Sequence, residues 1–238
     1  MSIIKTEAII LKCDNYRETS KIVTFYSKMH GKLRGIAKGV RSTKTKWGGA
    51  LQPMAHLSLM FYYKENRTLH LISQAEYSKT HQSIYDDFDK MQTGFRIIEL
   101  LNKTTPENHE NRAMFDLTAE SLENLDNATK NYVNVLFNYE FQLAKLLGFG
   151  INLHNFTGQN IDKKNENRYF YTERFSPGEL KSLNLLGEGN FNTLMSLNIS
   201  KSSERAIDRF FENYFSNHLE NTVFLKAKKV FNSKKMGI

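Results

Sequence analysis

Between Glu18 and Glu65 the chain carries Lys21, Lys28, Lys32, Arg34, Lys38, Arg41, Lys44, Lys46 and Lys64 and not one carboxylate. Close positive charges without counter-ions repel one another, so such a segment is favoured once a polyanion arrives. Six of these cations, Lys32, Arg34, Lys38, Arg41, Lys44 and Lys46, lead directly into Trp47, the only tryptophan. Lysine and arginine displace condensed counter-ions from phosphates, and an aromatic face stacks on a base without selecting it. The chemistry is that of a nucleic-acid-binding surface. In an extended strand Lys32, Arg34 and Lys38 share one parity and lie on one face. Arg41, Lys44, Lys46 and Trp47 then fall in the loop that follows. A solvated basic face would serve solubility alone. Trp47 reads equally well as a lid over the end of a barrel core. Tyr16, Tyr62 and Tyr63 are weaker stacking candidates, since a strand tyrosine more often belongs to the core or sheet surface.

No catalytic motif competes with this reading. Gly31-Lys32-Leu33-Arg34-Gly35 lacks the Gly-Lys-Ser/Thr ending of a phosphate-cradling loop. His109-Glu110 opens like a zinc-protease helix, but alanine occupies position 113 where the second histidine belongs. Asp86, Asp87 and Asp89 suit the N-terminus of the helix that follows better than a cation. There is no Gly-x-Ser-x-Gly elbow, and Cys13, the single cysteine, has no histidine close in sequence and reads as a buried strand residue. One cysteine also excludes an internal disulfide and a multi-thiolate metal site. The expectation is a protein that is not an enzyme, with no cofactor, no metal and no small-molecule substrate.

The elements that must hold these residues change character along the 238 residues. Over 1–80 the pattern is that of strands: Ile3, Ile4 and Ala8 to Leu11 form a short apolar run, Ile22 to Tyr26 is β-branched and aromatic, and Leu57, Leu59 and Phe61 alternate with polar or exposed neighbours. Leu69 and Leu71 continue that alternation after a turn at Asn66-Arg67. Five short strands punctuated by glycines suit a small, strongly curved barrel. From about residue 83 the period is helical. Ile84, Phe88, Met91, Phe95, Ile98 and Leu101 form one stripe ended by Thr104-Thr105-Pro106. Met114, Leu117, Leu122 and Leu125 mark a second helix, and Tyr132 to Leu147 a third ended by Gly148. Ser176-Pro177-Gly178-Glu179 is a capping box with proline at the first helical position. Ile207, Phe211, Tyr214 and His218 line one side of a last helix.

Charge follows the same division. Residues 1–80 hold 14 Lys and Arg against 5 Asp and Glu, residues 81–225 hold 14 against 20, and the last 13 residues hold five lysines and no acid. The longest charge-free stretch, Trp47 to Tyr63, contains Gln52, Pro53, His56 and Ser58 and is no membrane span. Lys5, Glu7 and Lys12 interrupt the first apolar run, so it is not a secretory signal. A reduced, cytoplasmic protein is expected.

Four blocks carry a resemblance. Thr6-Glu7-Ala8-Ile9-Ile10-Leu11-Lys12, then Tyr16-Arg17-Glu18-Thr19-Ser20-Lys21-Ile22-Val23-Thr24, then His30 through Arg41, then Gly48-Gly49-Ala50-Leu51-Gln52-Pro53 stand in the order and spacing of the bacterial recombination-mediator family RecO. Beyond residue 80 the likeness thins to helical pattern and Leu146-Leu147-Gly148-Phe149. The resemblance implies an α+β chain. An N-terminal five-stranded oligonucleotide-binding (OB) barrel (1–80) is followed by an all-helical C-terminal domain (81–225, with a loop at 150–175) and a basic tail (226–238). It implies a nucleoid-associated protein that binds single- and double-stranded DNA and anneals complementary strands. Such a protein works with RecR and the acidic tail of single-strand-binding protein to help load RecA. Arg205, Arg209, Lys226, Lys228 and Lys229 are the cations that would meet that tail. Two other readings stay open: a protein-interaction adaptor acting mainly through its helices, and an RNA-binding barrel, since stacking and phosphate contacts hardly discriminate sugars. One feature departs from the family pattern. Where many members open a four-cysteine zinc site with Cys-x-x-Cys-Gly, this chain has His154, Thr157 and Gly158. Threonine is a poor zinc ligand, and no bound metal is expected.

Overall fold

The computed structural model describes residues 2–42, 47–153 and 175–219. Lys44, Lys46, His154, Thr157, Gly158 and the tail with Lys226, Lys228 and Lys229 lie outside the described residues, as does most of the 150–175 loop. Two compact units divide the chain, the first running Met1–Asp126 and the second Asn127–Lys226.

Five strands open the first unit: β1 (Ser2–Tyr16), β2 (Ser20–Ser27), β3 (Gly31–Ala37), β4 (His56–Tyr63) and β5 (His70–Lys79). They close into a barrel in the order β1-β2-β3-β5-β4. The length of β1 makes this possible. Its first half pairs with β4 (Ser2↔Tyr63 to Ile9↔His56) and its second half with β2 (Ala8↔Ser27 to Tyr16↔Ser20), with a register shift between Ile10 and Lys12. A short parallel seam, Gly35↔His70, Ile36↔Leu71 and Ala37↔Ile72, completes the ring. Alternation puts Val23, Phe25, Leu33, Ala37, Leu57, Leu59, Phe61 and Ile72 inside, all essentially solvent-free. The β4–β5 turn is Lys64 to Arg67, where the Arg67 amide donates to the Lys64 carbonyl at 3.1 Å. Cys13 is half-buried against this core, and burial pushes its thiol up to about 12.

Three helices finish the unit: α1 (Gln82–Asp86), α2 (Phe88–Thr104) and α3 (Arg112–Asn127). Asp87 is the N-cap of α2, its carboxylate accepting from the Asp89 and Lys90 amides, as an anion at a helix start should. That cap also corrects the expected stripe. A new helix begins at Phe88, which is 40% exposed; Ile84, Ile98 and Leu101 of the stripe are buried as expected, and Thr93, Gly94 and Ile97 join them. Lys90 is buried with them, its ammonium donating to the Asp126 carbonyl at 2.8 Å.

The barrel buries three imidazoles. His56 shares the Glu7 carboxylate with Lys28, at 3.0 and 3.2 Å, and His70 and His81 are almost solvent-free. Burial holds each below the ordinary value of 6.5; Glu7 opposes this at His56, the Tyr62 carbonyl at His70, and the Met54 carbonyl and Asp126 at His81. Lys28 and Lys79 add to the lowering at His56, and His30 and Arg67 at His70. An unfolded chain takes up protons from about pH 6.5 downward more readily than the folded one. The stability these groups carry is present above that pH and drains away below it. The thermal midpoint is therefore expected to fall as pH drops from 7 to 5; a flat midpoint over that range would contradict it.

The second unit contains α4 (Tyr132–Leu146), α5 (Pro177–Glu188), α6 (Phe191–Ser196) and α7 (Lys201–His218). Leu147 caps α4, and Gly148 follows at φ +88°. The Phe149 amide donates to the Ala144 carbonyl and the Gly148 amide to Lys145, the hydrogen-bond pair of a left-handed helix stop. Ser176 and Glu179 exchange both bonds of the capping box at the start of α5. Along α4, Asn134 donates to the Leu194 and Leu197 carbonyls, Asn138 to Leu186 and Gln142 to Gly187. These amides satisfy the carbonyl ends of α5 and α6 from one helix face. Phe137 and Phe141 pack on Phe211 of α7, with ring centroids 5.9 and 5.0 Å apart.

Candidate nucleic-acid interface

Outward-facing residues of β2 and β3 are fixed by the same alternation that fills the core. Ile22 and Thr24 point out between the buried Val23 and Phe25; Lys32, Arg34 and Ile36 point out between Gly31, Leu33, Gly35 and Ala37. Across the ladder Lys12, Thr24 and Arg34 lie in one row, and Ile22, Ile36, Leu71 and Tyr62 in the next. The result is a strip of partly exposed aliphatic surface with Arg34 on one edge and, at its β1 end, Asp14 opposite Ile22 and ion-paired to Lys12.

One end of this face is covered. Tyr26 is fully buried, and its hydroxyl donates to the Asn111 carbonyl at 3.3 Å. The Lys32 backbone pairs with that of Glu107 in a single parallel β-bridge, and the Lys32 ammonium donates to the Asn102 carbonyl at 2.6 Å. Burial lowers the Lys32 amine, with Glu107 opposing the shift. Arg34 is different. It is exposed and meets no carboxylate among the described residues.

At the other end β3 stops at Ala37, so the shared parity expected of Lys32, Arg34 and Lys38 does not extend to Lys38. Lys38 instead lines a cavity of about 560 Å³ with Tyr16, Arg17, Glu18, Thr19, Ile36 and Gly39, so one carboxylate shares it. The Arg17 guanidinium stands 5.3 Å from the centroid of the Tyr16 ring, within cation–π range. Arg41 clamps this turn: its Nη1 donates to the Arg17 and Glu18 carbonyls, both at 3.0 Å, and its amide to Thr19 at 2.9 Å. Trp47 is half-buried against the barrel core and also lines a second cavity. Both readings of that ring thus have a physical footing.

Several cations of the basic segment are already paired. Lys28 meets Glu7 and Asp116, and Lys21 donates to the Gly48 and Leu51 carbonyls; beyond the segment, Lys79 meets Glu123. Arg17 escaped the sequence reading, although it follows Tyr16 at a strand end. The aliphatic strip left a clue in Ile22, an apolar residue on the wrong parity beside Val23 and Phe25. Arg205 and Arg209 are exposed one turn apart on α7, opposite its buried Ile207 and Phe211. Among the described residues no group of three or more His, Cys, Asp or Glu side chains is arranged to hold a metal, and no helix is long and apolar enough to cross a membrane.

Comparison with known proteins adds the family. The model of the Recombination protein O N terminal region matches residues 1–81, and that of the C terminal region matches 85–227. The DNA repair protein RecO of Chloroherpeton thalassium is 26% identical over 96% of this chain and 97% of its own length. That of a Thermoanaerobacter species is 26% identical over 98% of each. The Salinibacter ruber protein of the same name is 35% identical over 62% of this chain and 56% of its own. With a closed five-stranded barrel leading into helices and both halves of the family pattern in order, the chain belongs to the RecO family of DNA repair proteins.

Proposed function

We propose that this chain binds single- and double-stranded DNA across the outer face of β2 and β3, between the β1–β2 and β4–β5 turns, and anneals complementary strands. The observation that carries the reading is Arg34, exposed on the face that oligonucleotide-binding barrels use, with Lys38 exposed in the turn at its end, neither ion-paired to a carboxylate among the described residues. Arg17 adds charge at the β1–β2 turn, and Lys64 and Arg67, both exposed, add it at the β4–β5 turn. Ile22, Ile36 and Leu71 offer a flat apolar surface to unstacked bases. Lys44 and Lys46 belong to the same basic segment and extend the set. Lys32 contributes through the field of the face more than by direct contact, because its ammonium is held by Asn102. Pairing of strands follows physically, since a polycation lowers phosphate repulsion without choosing a sequence. In this role the protein acts with RecR and the acidic tail of single-strand-binding protein to help load RecA. Arg205 and Arg209 of α7, with Lys226, Lys228 and Lys229 of the tail, are the cations offered to that acidic partner.

If about five phosphates of a single strand are engaged, log affinity against log salt has a slope of roughly −3 to −4. Raising salt from 50 to 200 mM is then expected to weaken binding on the order of a hundredfold. The companion measurement is the pairing rate of complementary oligonucleotides without any nucleoside triphosphate, which the protein should raise. Affinity insensitive to salt, or an unchanged pairing rate, would rule the reading out.

A further inference from the structure

Two turns meet beside the end of β3, and one arginine joins them. The first links β1 to β2 through Arg17, Glu18 and Thr19; the second leaves β3 through Lys38 and Gly39. The strand pairs Tyr16↔Ser20 and Lys21↔Ala37 anchor their bases. Arg41 joins their tips. Its Nη1 donates to the Arg17 and Glu18 carbonyls, at 3.0 Å each, and its amide donates to the Thr19 carbonyl at 2.9 Å. The Ser42 amide in turn closes onto the Gly39 carbonyl at 3.1 Å. Arg41 thus takes up the carbonyls of all three residues of the first turn.

What the arginine holds is itself cationic. Arg17 stands at φ +52°, in the left-handed region that a side chain with a Cβ occupies only where its surroundings keep it there. In that conformation its guanidinium lies 5.3 Å from the centroid of the Tyr16 ring. Arg17 and Lys38 line the same cavity, one from each turn, and Glu18 is the one carboxylate beside them. Cations gathered this closely repel one another, so the two turns are driven apart unless something ties them. Hydrogen bonds from a guanidinium to two carbonyls are charge-assisted and supply the tie.

We infer that Arg41 is a positioning residue for DNA binding: it ties the two turns together and so sets Arg17 and Lys38 side by side as a grip for strand phosphates. The inference rests on the DNA-binding reading above and gives Arg41 a role other than phosphate contact. Both N–H bonds of its Nη1 are engaged by the turn, so the end of the side chain is fixed on protein and not on a ligand. Such a grip reads phosphate and carries no base preference. Lysine is no substitute at this position. It has the same charge but lacks the planar fork that meets two neighbouring carbonyls.

A double-mutant cycle tests this. The full chain, Arg17→Ala, Arg41→Ala, Arg41→Lys and the double variant Arg17→Ala with Arg41→Ala are titrated with a labelled thymidine-only 15-mer over a range of salt, following the label's anisotropy. Arg17→Ala is expected to weaken binding about tenfold, the scale of one charge-assisted phosphate contact, and to reduce the slope of log affinity against log salt by about 0.7. Arg41→Ala is expected to cost at least as much in both measures. The double variant should be no weaker than Arg41→Ala alone, because Arg17 has already lost its place. Arg41→Lys should remain several-fold weaker than the parent although its charge is kept. The salt slope is the readout that a purely structural role leaves unmoved, since lower stability alone does not change how many phosphates the folded protein meets. Losses that multiply in the double variant, parent-like affinity in Arg41→Lys, or parent-like affinity in Arg41→Ala each overturn the positioning role and leave the DNA-binding reading standing. No binding of the strand by the parent chain overturns both.

Discussion

Reversing charge at Arg34 and Lys38 together is expected to weaken single-strand binding on the order of a hundredfold at low salt and to flatten its salt dependence. Each cation stands for one phosphate contact, a charge-assisted hydrogen bond worth about 1.5–3 kcal/mol, and two such contacts at the lower end of that range convert to roughly that factor. Losing two of about five contacts should also bring the slope of log affinity against log salt from roughly −3.5 to about −2. Both side chains are exposed, Arg34 on a strand held by pairing to β2 and Lys38 in the turn just past its end, so the substitutions leave the core untouched. Net charge alone also affects affinity, and a matched control separates the effects. Lys130→Glu with Lys181→Glu changes the formal charge equally from exposed positions on the second unit. That pair should cost no more than a few-fold. If the two pairs weaken binding equally, the β2–β3 face is not the site.

Much of the fold was legible because its signals are local. The capping box at Ser176 and Glu179 and the helix stop at Gly148 involve residues within one turn of each other, and the structure forms both. Alternation through Leu57, Leu59 and Phe61 placed a strand correctly for the same reason. What failed depended on events a periodic pattern does not encode. The stripe from Ile84 to Leu101 buried Ile84, Ile98 and Leu101 but missed the break at Asp87, which leaves Phe88 exposed. Helix α6 is six residues long, too short to show a period, and its carbonyls are satisfied by Asn134 from far away in sequence. At the candidate site, residue type singled out Arg34, Lys38 and Arg41 as candidate cations. It did not show that Lys32 would turn to the Asn102 carbonyl or that Arg41 would hold the β1–β2 turn. Those roles arise from contacts between segments 23 to 70 residues apart.

The close approach of the β2–β3 turn to the segment between α2 and α3 supports a second prediction. Gly31 opens β3 at φ +65°, and a Cβ built on it would lie 1.9 Å from the His109 carbonyl oxygen. That oxygen belongs to backbone that is itself tied down. The Asn108 amide donates to the Lys32 carbonyl at 3.0 Å, and Asn111 accepts from Tyr26. Gly31→Ala therefore incurs two costs: roughly 1–2 kcal/mol for a left-handed non-glycine residue, and about 1–3 kcal/mol for forcing apart packed backbone. Together they amount to roughly 3 kcal/mol, a large share of the 5–15 kcal/mol typical of a whole domain, and a midpoint lower by about 10 °C. Gly178→Ala is the comparison, because a Cβ there meets nothing within 4 Å and the position lies in the first turn of α5. It should melt within a degree or two of the parent or slightly above it. If Gly31→Ala does the same, the segment carrying His109 yields more easily than its hydrogen bonds indicate. The docking that covers Tyr26 and Lys32 would then be a loose cover over the barrel face, not part of the frame that holds Arg34 outward.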